Sequence, residues 1–74
     1  MIHGRCTVVL ALTEPRAVRI SNDDTVHSTY VDFSRTNPWK DARRILEPGD
    51  SEIVSLDPGS LTIELGSSAV LEDA

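Results

Sequence analysis

Apolar and polar residues alternate with a period of two along most of this chain, as they do in strands that turn one face inward. In RCTVVLALT, residues 5–13, Cys6, Val8, Leu10 and Leu12 fall on one face, and Thr7, Val9, Ala11 and Thr13 on the other. Both faces are rather apolar, which predicts a strand central in its sheet or one whose outer face a neighbouring subunit covers. Next comes EPRAVRISNDD, in which Val18 and Ile20 oppose Ala17 in phase between Arg16 and Arg19. Pro15 is expected to open this strand at a sheet edge, where its missing N–H costs no ladder bond, and Asn22, Asp23 and Asp24 supply a turn. In TVHSTYVDFS, residues 25–34, His27, Thr29, Val31 and Phe33 share one face, and Val26, Ser28, Tyr30 and Asp32 the other.

The stretch RTNPWKDARRILEPGD breaks the alternation. Asn37 can cap a helix that begins with Pro38, with Trp39, Ala42 and Ile45 or Leu46 on one face and Pro48 ending it. A short helix near 38–46 is expected, a loop leading into a strand over 42–46 being the alternative. Residues 46–65, LEPGDSEIVSLDPGSLTIEL, contain two Pro-Gly corners and no basic side chain. Pro58 and Gly59 suit the central positions of a type II turn, so Ile53 to Leu56 and Leu61 to Leu65 read as an acidic hairpin. The sum is an all-β chain: a small antiparallel β-sandwich or barrel, immunoglobulin-like or jelly-roll-like, of five to six strands. Residues 1–66 form the single domain, and residues 67–74 an acidic C-terminal tail, flexible or docked on a partner.

Composition adds a reason to associate. With 74 residues and one each of Trp, Tyr and Phe, the core must be aliphatic and thin. Small domains without disulfides commonly gain stability by oligomerising or docking. The longest apolar run, Val8 to Leu12, is far short of the roughly 20 residues of a spanning helix, and no signal peptide is evident, so synthesis in the cytoplasm is expected. A net charge of −5 disfavours nucleic acid. All seven basic residues precede residue 45, alongside five acidic ones, whereas residues 45–74 hold seven acidic residues and no basic one. Such asymmetry means either pairing within the chain or opposed faces on neighbouring subunits.

Catalytic chemistry is not indicated. His3 and Cys6 stand on opposite strand faces without enough further ligands for a tetrahedral metal site. Cys6 reads as a small buried hydrophobe, or as the source of an intermolecular disulfide. Asn22-Asp23-Asp24 with Asp32 lacks the spacing and glycine of a calcium loop. No nucleophile elbow or phosphate-binding loop occurs, and so short a chain has little volume for a pocket of about 300 Å³. The expectation is a non-enzyme without cofactor or metal. Trp39 stands out: with Arg35, Lys40, Arg43 and Arg44 it has the composition of an interface hot spot. It could equally close the open end of the sandwich or stack a base or sugar.

The string ILEPGDSEIVSLDPGSLTIEL resembles the closing strands of immunoglobulin-like and jelly-roll modules. Among such modules, stand-alone, cysteine-poor chains of this size resemble the accessory proteins of bacteriophage virions: capsid decoration or cement proteins and small tail or connector components. The resemblance implies a structural assembly protein, made in the host cytoplasm, that docks in the virion on a larger protein shell or on copies of itself. It implies no role for a membrane. The interface would comprise Val9 and Ala11 together with Arg35, Trp39, Lys40, Arg43 and Arg44, the last two pairing with a neighbour's carboxylates. Competing expectations are a small carbohydrate- or single-stranded-nucleic-acid-binding module using Trp39 and Tyr30, and an acidic inhibitor or regulator of one host protein.

Overall fold

The computed structural model describes the backbone of residues 1–36 and 39–74, and the side chains of all but residues 36–41. Among the described residues every regular element is a strand: β1 (Ile2–His3), β2 (Cys6–Leu12), β3 (Arg16–Asn22), β4 (Thr29–Thr36), β5 (Trp39–Leu46), β6 (Ser51–Leu56), β7 (Gly59–Leu65) and β8 (Ala69–Asp73). They form two four-stranded antiparallel sheets packed together, ordered β1-β8-β3-β6 and β2-β7-β4-β5.

The pairings obey one rule. β4 pairs with β5, β3 with β6, β2 with β7 and β1 with β8, so the chain is one long antiparallel ribbon doubled back at β4 and β5. Rolling that ribbon adds the β3–β8 and β4–β7 ladders that complete the sheets. Every connection except that between β4 and β5 therefore passes from one sheet to the other.

That winding corrects several expectations. The acidic hairpin does not exist: β6 and β7 lie in different sheets, and the Asp57-Pro58-Gly59 corner carries the chain between them. Gly59 adopts a positive φ of 125°, which favours glycine, but it is the first residue of β7, paired with Leu12, and not the third position of a type II turn. At the other corner Gly49 has φ 77°, and the Asp50 N–H donates to the Glu47 carbonyl at 3.0 Å. The short helix near 38–46 is replaced by β5, whose backbone pairs residue for residue with β4 from Thr29 opposite Leu46 to Thr36 opposite Trp39. Asn37 and Pro38, the expected cap and first turn, lie outside the described residues. Residues 69–73 are no tail. β8 is paired on both sides, with Ala69 and Leu71 in the core and Val70, also buried, on the opposite face. A short apolar run covered on both faces is what a central strand requires. β1, β5 and β8 account for eight strands where five to six are expected.

The alternation itself sets the core. Val18, Ile20, Leu56, Ala69 and Leu71 of one sheet meet Val31, Phe33, Leu46, Leu61, Ile63 and Leu65 of the other. β3 is central rather than an edge strand. Pro15 precedes its first paired residue, Arg16, so no ladder bond is lost. β2, expected to be either central or covered on its outer face by a neighbouring subunit, is not central but an edge strand.

Asn22, 3% exposed, locks the corners of the roll. Its amide nitrogen donates to the carbonyls of His27 at 2.8 Å and Leu46 at 3.1 Å, and its side-chain oxygen accepts from the Asp24 N–H at 2.9 Å and the Ser68 hydroxyl at 2.7 Å. The backbone adds Asn22 N–H to the Asp50 carbonyl and Asp23 N–H to the Ser68 carbonyl, both at 2.9 Å. The full donor and acceptor capacity of a buried carboxamide is thus used. Close backbone approach completes this end. A Cβ on Gly4 would lie 2.1 Å from the Gly66 carbonyl oxygen, and one on Gly66 would lie 2.8 Å from both Thr29 Oγ1 and the Tyr30 ring.

Part of the charge asymmetry is met within the chain. Arg16 pairs with Asp73, Arg19 with Glu72 at 3.9 Å and Arg44 with Glu52 at 3.3 Å, each joining a cation of residues 1–44 to an anion of residues 45–74. Such exposed pairs contribute little individually; the buried amide is the larger lever. Asn22→Asp removes both donated bonds and faces two carbonyls with a charge. It is predicted to cost about 3 kcal/mol, a large part of the roughly 4 to 11 kcal/mol expected for a domain of this size. Ser68→Ala, which removes one accepted bond, should cost about 1 kcal/mol. Urea denaturation of the two variants checks the ranking.

Candidate assembly surface

A rolled ribbon ends in four sheet edges, and an unprotected edge is a template for another strand. Three are guarded. β1 is two residues long, β5 carries Lys40, Asp41, Arg43 and Arg44, and β6 carries Glu52, which reaches across to Arg44 of β5. The fourth, β2, has seven residues, Cys6 to Leu12, none of them charged or proline. Among the described residues nothing pairs with its outer side. On its outward face Thr7, Val9 and Ala11 are exposed, Val9 to 72%. On its inward face Cys6, Val8, Leu10 and Leu12 pack against the core yet stay only half-buried. Met1, Ile2, Leu10, Val18 and Leu71, together with the charged Arg16, Glu72 and Asp73, line a cleft of about 100 Å³ on this side of the sandwich.

Three of the cationic candidates, Arg35, Arg43 and Arg44, have partners within the chain. Arg35 donates from Nη1 to the Pro58 carbonyl at 3.3 Å and from Nη2 to that of Asp57, clasping the corner between β6 and β7. Arg43 grips Asp32 with two parallel hydrogen bonds of 2.6 and 2.7 Å from the cross-strand position, and its guanidinium lies 4.7 Å from the centre of the Tyr30 ring. Arg44 is held by Glu52. Within the chain, Arg43 and Arg44 already have carboxylate partners, Asp32 and Glu52. Register explains this: β4 sets Asp32 directly opposite Arg43. Trp39 and Lys40 stand in β5 opposite Thr36 and Arg35, but their side chains lie outside the described residues. The Cys6 thiol donates to the His3 carbonyl at 3.0 Å and forms no disulfide within the chain.

A polar cluster covers the outer face of the second sheet. The Tyr30 hydroxyl donates to Glu64 Oε1 at 2.9 Å, and Asp32, Phe33, Ser34, Ala42, Arg43, Thr62 and Glu64 border an open groove of about 400 Å³. Glu64, Asp32 and Arg43 stand side by side across three strands. The guanidinium of Arg43 lowers the Asp32 carboxyl below its ordinary value, while the bond to Glu64 raises Tyr30 above its own. Asp24, accepting the N–H groups of Val26 and His27, is also lowered. These groups hold one another. Among the described residues, no three His, Cys, Asp or Glu side chains converge as metal ligands.

Sequence reasoning placed Val9 and Ala11 on an outward face but missed that β2 is an edge. The usable signal was the uncharged run from Cys6 to Thr13 in a chain with 26% charged residues. Nothing in the alternation indicated the Tyr30–Glu64 bond, which depends on β4 lying beside β7. Comparison of the chain with protein-family profiles, curated proteins and solved structures finds no match.

The cluster yields a titration. Tyr30 is the single tyrosine, so tyrosinate absorbance reports it alone. Its midpoint is predicted above about 10 in the folded protein and back toward about 10 in Glu64→Gln. Because the folded value is raised, the stability this bond contributes is present below the unfolded value and disappears as pH rises through the folded one. Asp24 and Asp32 act in the opposite sense. Their contribution is present above about 3.9 and is lost as pH falls through their lowered folded values.

Proposed function

We propose that the rolled ribbon is a minimal jelly roll serving as a non-enzymatic structural assembly protein, joined to other protein through its β2 side. The observation that carries this reading is the contrast among the four edges: three are short, charged or bridged, and one is long, uncharged and, among the described residues, unpaired. Natural sheets suppress such edges unless something occupies them. Half-burial of Cys6, Val8, Leu10 and Leu12 points the same way, since a neighbour covering β2 would complete the thin aliphatic core. Jelly rolls are frequent in shells built from many copies. The likeness to phage accessory proteins adds a setting, a virion component made in the host cytoplasm and docked on the protein shell.

A second reading has one observation in its favour. The groove over the second sheet, with Tyr30 beside it and Asp32, Ser34, Thr62 and Glu64 along it, offers the hydroxyl and carboxylate groups that sugars bond. Against it, the groove is open and its charged groups are bonded to one another.

Emission from Trp39, the single tryptophan, discriminates the two. Under the assembly reading, titration with soluble dextran, chitin oligomers or an oligothymidylate leaves Trp39 emission and Tyr30 absorbance unchanged. A saturable shift with any of them would replace that reading by a polymer-binding one.

A further inference from the structure

We infer that the occupant of the β2 edge is β2 of a second copy of this chain, the two running antiparallel about a two-fold axis at Val9. This rests on the assembly reading and names the partner of its surface.

The pattern of β2 suits its own reversal. The strand Cys6–Leu12 is centred on Val9, so antiparallel pairing of two copies sets Val9 against Val9, Val8 against Leu10, Thr7 against Ala11 and Cys6 against Leu12. All seven residues find partners, and no like charges oppose one another. Arg5 stands immediately before the strand and Glu14 two residues beyond its end, both exposed and neither ion-paired among the described residues; the two-fold sets Arg5 opposite Thr13, the neighbour of Glu14. Reversal brings the Arg5 end of each copy beside the Glu14 end of its partner, on both sides of the axis. A foreign strand would need this arrangement built into its own sequence; a second copy has it already. Two-fold contacts of a surface with itself are also the commonest route to a dimer.

The consequences are structural. The sheet β2-β7-β4-β5 would continue through the axis as eight strands, and the half-buried inward row of each β2 would be continued by that of its partner. The two Cys6 residues would stand six residues apart along the ladder, about 20 Å, far beyond the reach of a disulfide. The dimer is therefore indifferent to reductant.

Light scattering behind a sizing column tests the inference on the full chain. As concentration rises, the mass is expected to move from 8.1 kDa toward twice that value, with or without reductant. Val9→Lys sets two ammonium groups face to face and should weaken association at least tenfold. Circular dichroism and the urea midpoint should stay unchanged, because Val9 is 72% exposed. Ile53→Lys, on the β6 edge and 59% exposed, should leave association as it was. In a Cys6→Ser background, Val9→Cys should cross-link quantitatively under mild oxidation and Ile53→Cys should not. A monomer at every concentration, an association that Val9→Lys leaves intact, or a dimer dissolved by reductant would each overturn the β2 pairing. None of these alters the sugar and oligonucleotide titrations, so the pairing and the assembly reading fail separately.

Discussion

One buried carboxamide holds the rolled ribbon closed. Asn22 ends β3, and its side chain bonds Asp24 and His27 in the β3–β4 connection, Leu46 at the end of β5 and Ser68 in the β7–β8 corner. The constraint is topological as well as energetic. Because the strands change sheet at every connection but one, few corners are fixed by hairpin pairing. They must be tied by other means. Where Asn22 bonds the Leu46 carbonyl and Ser68, the first half of the ribbon is fixed to the returning half, so the β3–β8 ladder and the corner beyond β5 share one anchor. A half-satisfied amide would be worse than an apolar residue there; a fully satisfied one makes the register unique.

Closing the ribbon has a geometric remainder. The roll starts with a strand of two residues, so the edge of β2 gains no counterpart of its own length in the facing sheet. At the opposite side the Arg44–Glu52 pair and the charges of β5 finish the sandwich. Stability and surface are thereby linked. The aliphatic core of a 74-residue chain is complete around Ile20, Ile63, Leu65 and Val31, and incomplete along the inward face of β2. The proposed assembly role takes that incomplete stretch as the place where another molecule belongs.

How much of this could be read from the chain depended on range. Period-two alternation assigned the inward residues of β3, β4 and β7 correctly, because burial of one face is a local property of the pattern. Pro-Gly at 48–49 and 58–59 announced turns, but a turn signal does not say which sheet receives the next strand, so β6 and β7 looked like a hairpin. β8 was hidden because Ala69, Val70 and Leu71 show no alternation, being buried on both faces and followed by acids. Asn37-Pro38, which has the chemistry of a helix start, favoured a helix over β5, of which only the part over 42–46 was legible as the alternative. At the candidate surface, Val9 and Ala11 were legible as an apolar outward face. The partners of Arg35, Arg43 and Arg44 were not, since Asp32, Glu52 and the Asp57–Pro58 carbonyls come near them only through strand register. Asn22 read as an ordinary turn residue for the same reason: its partners are up to 46 residues away.

The central claim is that the outer edge of β2 is where this protein meets its like. Residue-resolved amide hydrogen exchange, recorded on dilute and on concentrated samples of the full chain, addresses it directly. Within Cys6–Leu12, the N–H groups that face away from β7 should exchange freely in the dilute sample and become protected in the concentrated one, with β5 and β6 unchanged. Free exchange along β2 at both concentrations, or new protection along β5 or β6 in its place, would contradict the account.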